Sequence, residues 1–394
     1  MSEQSVAKMK DIQKNDTLTE LQKKTQKNYG IELLRILSMF FIVILHVIGF
    51  GGISYFCMQA EPGTAELLTH YKVMNVMLAF AYCSVNCYAL ISGYVSCKSK
   101  FKPSKIISLW VTVVAINLII YLTAYIYNPE WVAAYEFKKV FFPLINEQYW
   151  YFTAYVGLLI ILPALNAAVN NIPEKQYRSM LIWMFVAFSV LTILSRKDLF
   201  KAVSGYSMLW LVLMYLAGAY FRLHFNAEKK RPFFRTGCAI VYVISALLMA
   251  FVKFHKETEL LENGAGYTVY AYDYQYNSVY VVICSLALFL LFVNIDVKNR
   301  IAGKVISFVS SATFGIYLIH LNYIIVDHII SGRYGDLTSR KPVGMVIGIL
   351  VASAEIFVIS AFFEKIRQRV FKVLFIDKLV SLVDKIKLPE KKTK

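Results

Sequence analysis

Apolar residues fill runs of about 20 positions that recur along the chain, at roughly 31–53, 73–96, 106–127, 149–170, 179–195, 206–222, 236–254, 276–293, 308–330 and 343–363. A hydrocarbon layer ~30 Å thick takes about 20 residues of helix at 1.5 Å per residue, so each run is long enough to cross it. The pattern predicts an all-α integral membrane protein with about ten transmembrane helices. No internal repeat and no second soluble domain interrupts the runs, so any chemistry must be built from spans and short loops.

The polar flanks complete the division. Residues 1–27, rich in Lys, Gln and Thr and without a small-residue cleavage site, predict a disordered cytoplasmic tail, and 28–363 form the membrane domain. In 364–394, Ile366, Val370, Val373, Leu374, Val380 and Val383 recur at helical spacing among lysines, which predicts a basic amphipathic cytoplasmic tail on the inner leaflet, ended near Pro389.

Composition agrees with the pattern. Hydrophobic residues make up 58%, charged residues 17%, and mean hydropathy is +0.54, which excludes an ordinary soluble domain. The net charge of +17 would fit a nucleic-acid partner if it were clustered on a soluble face. Its placement argues otherwise. The connections "CKSKFKPSK", "NIPEKQYR", "RLHFNAEKKRPFFR" and "NIDVKNRIAGK" carry 14 Lys and Arg against 11 in the longer connections on the opposite side, and both tails are basic. The positive-inside rule then puts both termini in the cytoplasm and accounts for the charge with no nucleic acid.

Other motifs subtract possibilities. Five of the six cysteines fall in or beside predicted spans, Cys57 lies in a loop, and there is no CxxC pair, so neither a disulfide framework nor a metal site is indicated. "GYVSCKSK" lacks the second glycine of a phosphate-binding loop and follows a span, not a strand.

The first span, "IELLRILSMFFIVILHVIGF", is the exception to an apolar rule, because it carries Glu32, Arg35 and His46. An ionisable group at mid-bilayer costs on the order of 2.5–3.5 kcal/mol even on lenient scales, so such groups turn toward a cavity or a partner. Eleven positions at ~100° each bring Arg35 and His46 back to nearly one face, about 16 Å apart along the axis. Snorkelling or an ion pair with Glu32 is the plain alternative for Arg35, and a helix-packing hydrogen bond for His46. His320, with Tyr317 one turn before it, sits at similar depth in the ninth run and is a candidate to line the same cavity or orient His46. Glu355 in the last span calls for a paired cation. Six tyrosines in "GYTVYAYDYQYNSVY" suit either an interfacial belt or contacts to a glycan.

Arginine, ten residues and histidine in the first span, after "IELL", followed by "ALISGYV" at 89–95 with "KSKFKPSK", "QYWYFTAYVGLLIILPAL" at 148–165 and "SSATFGIYLIH" at 310–320, resembles the acyltransferase 3 family of integral membrane acyltransferases over about residues 29 to 363. The resemblance implies an acyl-CoA-dependent O-acyltransferase of the cell membrane, moving an acyl group, commonly acetyl, from cytoplasmic acyl-CoA to a hydroxyl of an envelope or extracellular carbohydrate. It implies His46 as the catalytic residue, as base or acyl relay, and Arg35 as the acyl-CoA-binding residue. His320 and Tyr317 are then candidate substrate contacts, with no metal required. Lys98, Lys100, Lys102 and Lys105 read first as positive-inside charge and only second as attraction for CoA phosphates. A polytopic secondary transporter for a small polar solute or glycan is the rival, because it would use the same buried polar groups.

Overall fold

The computed structural model describes residues 27–58, 65–225, 232–262 and 274–385; the expected tail over 1–27 thus lies outside the described residues except for Lys27. Helix is the only regular structure among the described residues. Eight helices are long and apolar enough to cross a membrane, and two further apolar helices are shorter, at Met208–Leu223 and Val279–Val293. All ten apolar runs therefore coincide with helix, eight of them at full spanning length.

The principal helices are α1 (Tyr29–Gly49), α2 (Ala65–Ala81), α3 (Ser84–Ser96), α4 (Pro103–Tyr127), α5 (Trp150–Asn171), α6 (Glu174–Phe185), α7 (Met208–Leu223), α8 (Pro232–Glu262), α9 (Val279–Val293), α10 (Arg300–Ser310), α11 (Thr313–His320) and α12 (Pro342–Val373). The end of the bundle where α1 begins is called here the near end, and the end where it finishes the far end. α1 starts because the Asn28 side chain accepts a hydrogen bond from the Ile31 amide, and it lies at the centre with Leu34, Val43 and Val47 sealed from solvent.

α3 and α7 pack closest of all. A Cβ on Gly93 would stand 1.9 Å from the Tyr215 carbonyl, and one on Gly218 2.0 Å from the Leu90 carbonyl, so each glycine admits the other helix's backbone. This small-residue contact compensates for the shortness of α7. At the far end, the Gly332 amide donates to the Phe50 carbonyl at 3.0 Å and the Tyr334 amide to that of Gly51 at 2.9 Å, tying the exit of α1 to the segment after α11.

Two expected boundaries differ. The ninth run does not continue as a span to 330: helix ends at His320, and the Asn322 side chain accepts from the Ile324 amide, restarting a short helical segment at Tyr323. An asparagine that caps competes with continuation of the helix, which explains the break inside an apolar run. The last helix runs ten residues beyond the expected end at 363, to Val373. Glu364 is buried there, and Arg367 grips it with two hydrogen bonds of 2.7 Å, which carries the helix across the expected boundary between span and tail. The tail is consequently not one separate amphipathic helix. A left-handed residue, Phe375 (φ 55°), turns the chain, a short helix follows at Ile376–Ser381, and Asp384 accepts from the Ser104 amide and hydroxyl at 2.9 and 2.7 Å at the start of α4. Those two donors hold the Asp384 carboxyl below its ordinary range.

Candidate active site

α1 carries Arg35 and His46, and the equal facing expected from their spacing is realised: both line one cavity of about 310 Å³ between α1, α3, α4, α5 and α11. Its walls are mostly apolar. Toward the near end stand Arg35, Ser96 and Lys105, and toward the far end His46, Trp150 and Tyr276.

The ion pair between Arg35 and Glu32 is present, but loosely. Arg35 Nη1 lies 3.7 Å from Glu32 Oε1, outside hydrogen-bond range, and the guanidinium donates no hydrogen bond to a described residue. Glu32 instead accepts from the Ser310 hydroxyl at 2.5 Å and faces Lys27 at 3.6 Å. Five N–H donors on a fixed planar fork are thus left for an anion, with Glu32 steadying the side chain. The Arg35 carbonyl accepts from Tyr88 at 2.8 Å, which anchors this turn of α1 to α3.

His46 is held from behind. Its Nδ1 lies 3.0 Å from Nε2 of His320, and His320 Nδ1 lies 2.6 Å from the Ile316 carbonyl oxygen. A carbonyl can only accept, so the proton of neutral His320 belongs on Nδ1 and its Nε2 must accept. His46 therefore donates through Nδ1, and its Nε2 keeps the lone pair. This tautomer assignment follows from the partners alone. Phe50 stacks on the His46 ring with centroids 5.4 Å apart, and His46 Nε2 makes no hydrogen bond to a described residue. The carbonyl, His320 and His46 form a chain that presents a basic nitrogen.

His320 itself is almost fully buried and is not part of the cavity wall. Of the two roles expected for it, its position off the wall fits orientation of His46 better than contact with substrate, its ring being occupied on one side by a carbonyl and on the other by an imidazole. Tyr317 does line the cavity; its hydroxyl is buried and faces the backbone of Tyr151 and Phe152. Glu355 is exposed on α12 and forms no ion pair with a described residue, so the paired cation expected for it is not found among them.

Several cavity residues escaped the sequence. Lys105, set aside as ordinary inner charge, lines the wall, with its Nζ 5.9 Å from the centre of the Tyr155 ring. Tyr151 and Tyr155 stack at 6.1 Å, and their spacing of four residues was the readable signal for a shared face. Trp150 and Tyr276 line the far end and Tyr206 packs against both, with centroids 4.7 Å apart for Trp150 and Tyr206 and 4.6 Å for Tyr206 and Tyr276. Tyr276 belongs to the tyrosine-rich stretch, and both it and Tyr274 are buried, not displayed as a belt; Tyr267, Tyr270 and Tyr272 lie outside the described residues.

The family described as an acyltransferase domain, acyltransferase 3, matches residues 28–364, which contain every residue of this cavity. No curated protein and no solved structure matches the chain.

Proposed function

Because the chain belongs to the acyltransferase 3 family and is a membrane acyltransferase, we propose that it takes an acyl group, acetyl in the first instance, from cytoplasmic acyl-CoA and places it on a hydroxyl of a carbohydrate of the cell envelope. The near end of the bundle faces the cytoplasm in this reading and the far end the outside, as the positive-inside distribution requires. The observation that carries the proposal is the single cavity with a loosely paired guanidinium toward one end and a lone-pair imidazole nitrogen toward the other.

The donor enters at the near end. Its phosphates meet Arg35, which binds phosphate oxygens bidentately, and Lys105, which adds a point charge. The pantetheine arm is uncharged and slender, so it follows the apolar walls over the ~16 Å between Arg35 and His46. The acceptor hydroxyl approaches from the far end.

His46 Nε2 then takes the hydroxyl proton while the oxygen attacks the thioester carbonyl. The new C–O bond forms, the C–S bond breaks, and the departing CoA sulfur receives the proton from His46. Positive charge that builds on His46 is shared through the Nδ1 hydrogen bond to His320 and the Ile316 carbonyl. Tyr317 lines the same cavity, and mostly apolar walls strengthen the polar contacts made there as charge develops. Purified protein incubated with acetyl-CoA labelled in the acetyl group tests the reading: label must pass to a hydroxyl compound with release of free CoA. Solute movement across a vesicle wall without loss of the thioester would transfer the reading to a transporter.

A further inference from the structure

A second pocket opens at the far end of the bundle. It measures about 140 Å³ and is lined by Asn117 and Tyr121 of α4, by Tyr135, Glu136, Lys139, Asn146 and Gln148 of the segment between α4 and α5, and by Asn322 and Tyr323 just after α11. In contrast to the cavity at His46, its floor is made of amides. Asn117 Oδ1 accepts from the Tyr149 hydroxyl at 2.9 Å and from Asn322 Nδ2 at 3.1 Å, and Asn117 Nδ2 donates to Gln148 Oε1 at 2.7 Å. Asn117, Tyr149 and Asn322 are all nearly sealed from solvent, so the floor is fixed. The rim is pinned as well: the Tyr135 hydroxyl donates to Asp327, and Trp131 stacks on His328 with centroids 4.9 Å apart.

Three polar groups remain uncommitted to described residues in this rigid setting: the NH2 of Gln148, the amide oxygen of Asn146 and the hydroxyl of Tyr323. The first only donates, the second only accepts, and the third does both. A phosphate or carboxylate would ask for donors alone. Hydroxyls, each a donor and an acceptor, match the mixed set. Charge points the same way, since Glu136 and Lys139, the two charged residues of the wall, pair with each other at 2.8 Å. The rings of Tyr121, Tyr135 and Tyr323 supply flat apolar surface beside the polar groups, as the C–H faces of a sugar ring require. At ~30 Å³ per liquid water the volume is that of about five waters, the scale of one such ring.

Position completes the argument. Gln148 lines this pocket and Trp150 the reaction cavity; Asn322 lines this pocket and Leu321 the reaction cavity. Tyr149 stands between, hydrogen-bonded to both Asn117 and the Leu318 carbonyl. The two spaces thus share a thin wall, with one residue between them along the first segment and adjacent residues facing each along the second, next to His320.

We infer that this far-end pocket is the subsite at which the acceptor first binds, and that it takes one ring of an uncharged saccharide. The inference rests on the acyltransferase reading, which gives the word acceptor its meaning, but its test does not. Isothermal titration of the purified full chain, without acyl-CoA, is made with the methyl glycosides of glucose, galactose and N-acetylglucosamine and with methyl glucuronoside. At least one neutral glycoside binds at millimolar concentration, and Asn146→Ala and Gln148→Glu each weaken it about fivefold, the loss of one hydrogen bond. Gln148→Glu keeps the oxygen that Asn117 needs, so it tests the lost donor and not the floor, and an unchanged unfolding temperature certifies the comparison. Absence of binding by all three neutral glycosides up to roughly 50 mM, equal binding by both variants, or preference for the glucuronoside overturns the assignment. Labelled acyl transfer in the absence of glycoside binding would sink the subsite and leave the enzyme; binding without transfer would do the reverse.

Discussion

The cavity at His46 and the pocket beyond Asn322 lie on two sides of one thin wall and are built in opposite ways. The first is enclosed mainly by apolar faces of helices, with a loosely paired guanidinium, an ammonium and one lone-pair nitrogen set among them. The second is floored by interlocked amides and rimmed by the segment of short 3-10 turns between α4 and α5. The difference teaches a division of labour: apolar walls make few charges strong and suit bond-making, whereas a mesh of donors and acceptors suits recognition of a molecule that is itself covered in hydroxyls. Variants in the first region should thus act on rate or donor, and variants in the second on acceptor binding alone.

The sharpest break comes at His46. His46→Ala removes the proton acceptor and is expected to cost at least about 10²–10⁴-fold in transfer, with membrane expression intact because a small apolar residue is tolerated on α1. Transfer assays on equal amounts of purified protein read it, and full activity would strike His46 from the mechanism. Next in size is His320→Ala, expected to lower kcat about 10–100-fold with KM for acyl-CoA little changed. His320→Gln keeps an acceptor for the Nδ1 proton and should recover part of the loss and restore the pH–rate profile that the alanine variant displaces. A role for His320 in packing alone would lower the yield of folded protein in both variants without moving that profile.

Arg35→Ala should raise KM for acyl-CoA by about tenfold to a hundredfold, the cost of a charge-assisted contact worth ~1.5–3 kcal/mol, and leave the acceptor KM alone. Lys105→Ala should act in the same direction by only a few-fold, because an ammonium makes one point contact where a guanidinium makes two. An effect of either on glycoside binding would erase the distinction between the two regions.

These residues were unequally legible. Arg35 and His46 declared themselves because they share one helix, where a 100° step converts spacing into facing. The far-end pocket draws on residues 117, 121, 135–148 and 322–323, brought together by tertiary contact alone, and no periodicity in one segment could announce it. His320 was visible with two readings, lining the cavity or orienting His46, and sequence could not choose between them, since burial behind another histidine is a property of two helices. The break after His320 and the continuation of α12 through Glu364 were lost for a related reason: hydropathy weighs side chains one at a time, whereas an asparagine cap and a buried carboxylate gripped by arginine are decided by partners.

The smallest effect concerns pH at the rim. Lys138 and Lys139 hold the exposed Glu136 carboxyl down to about 2, below its ordinary 4.5. A depressed carboxyl contributes its stabilisation above the ordinary value and loses it as pH falls toward the lowered one. Limited proteolysis of the segment between α4 and α5 should accordingly be constant from pH 8 to about 5 and increase only below that; cleavage that increases already near neutrality would show that Glu136 does not hold the rim.

The account stands on transfer of an acyl group from the near end to a hydroxyl at the far end through His46. Vesicles reconstituted with the full chain and sorted for one orientation, given labelled acetyl-CoA on the side of Arg35 and a neutral glycoside on the other, test it most directly. Label should appear on the glycoside in the opposite compartment, with free CoA accumulating where acetyl-CoA was supplied, and the His46→Ala vesicles should stay at background. Acetyl-CoA that remains intact beside the wild-type protein, or equal labelling with His46→Ala, would contradict the account.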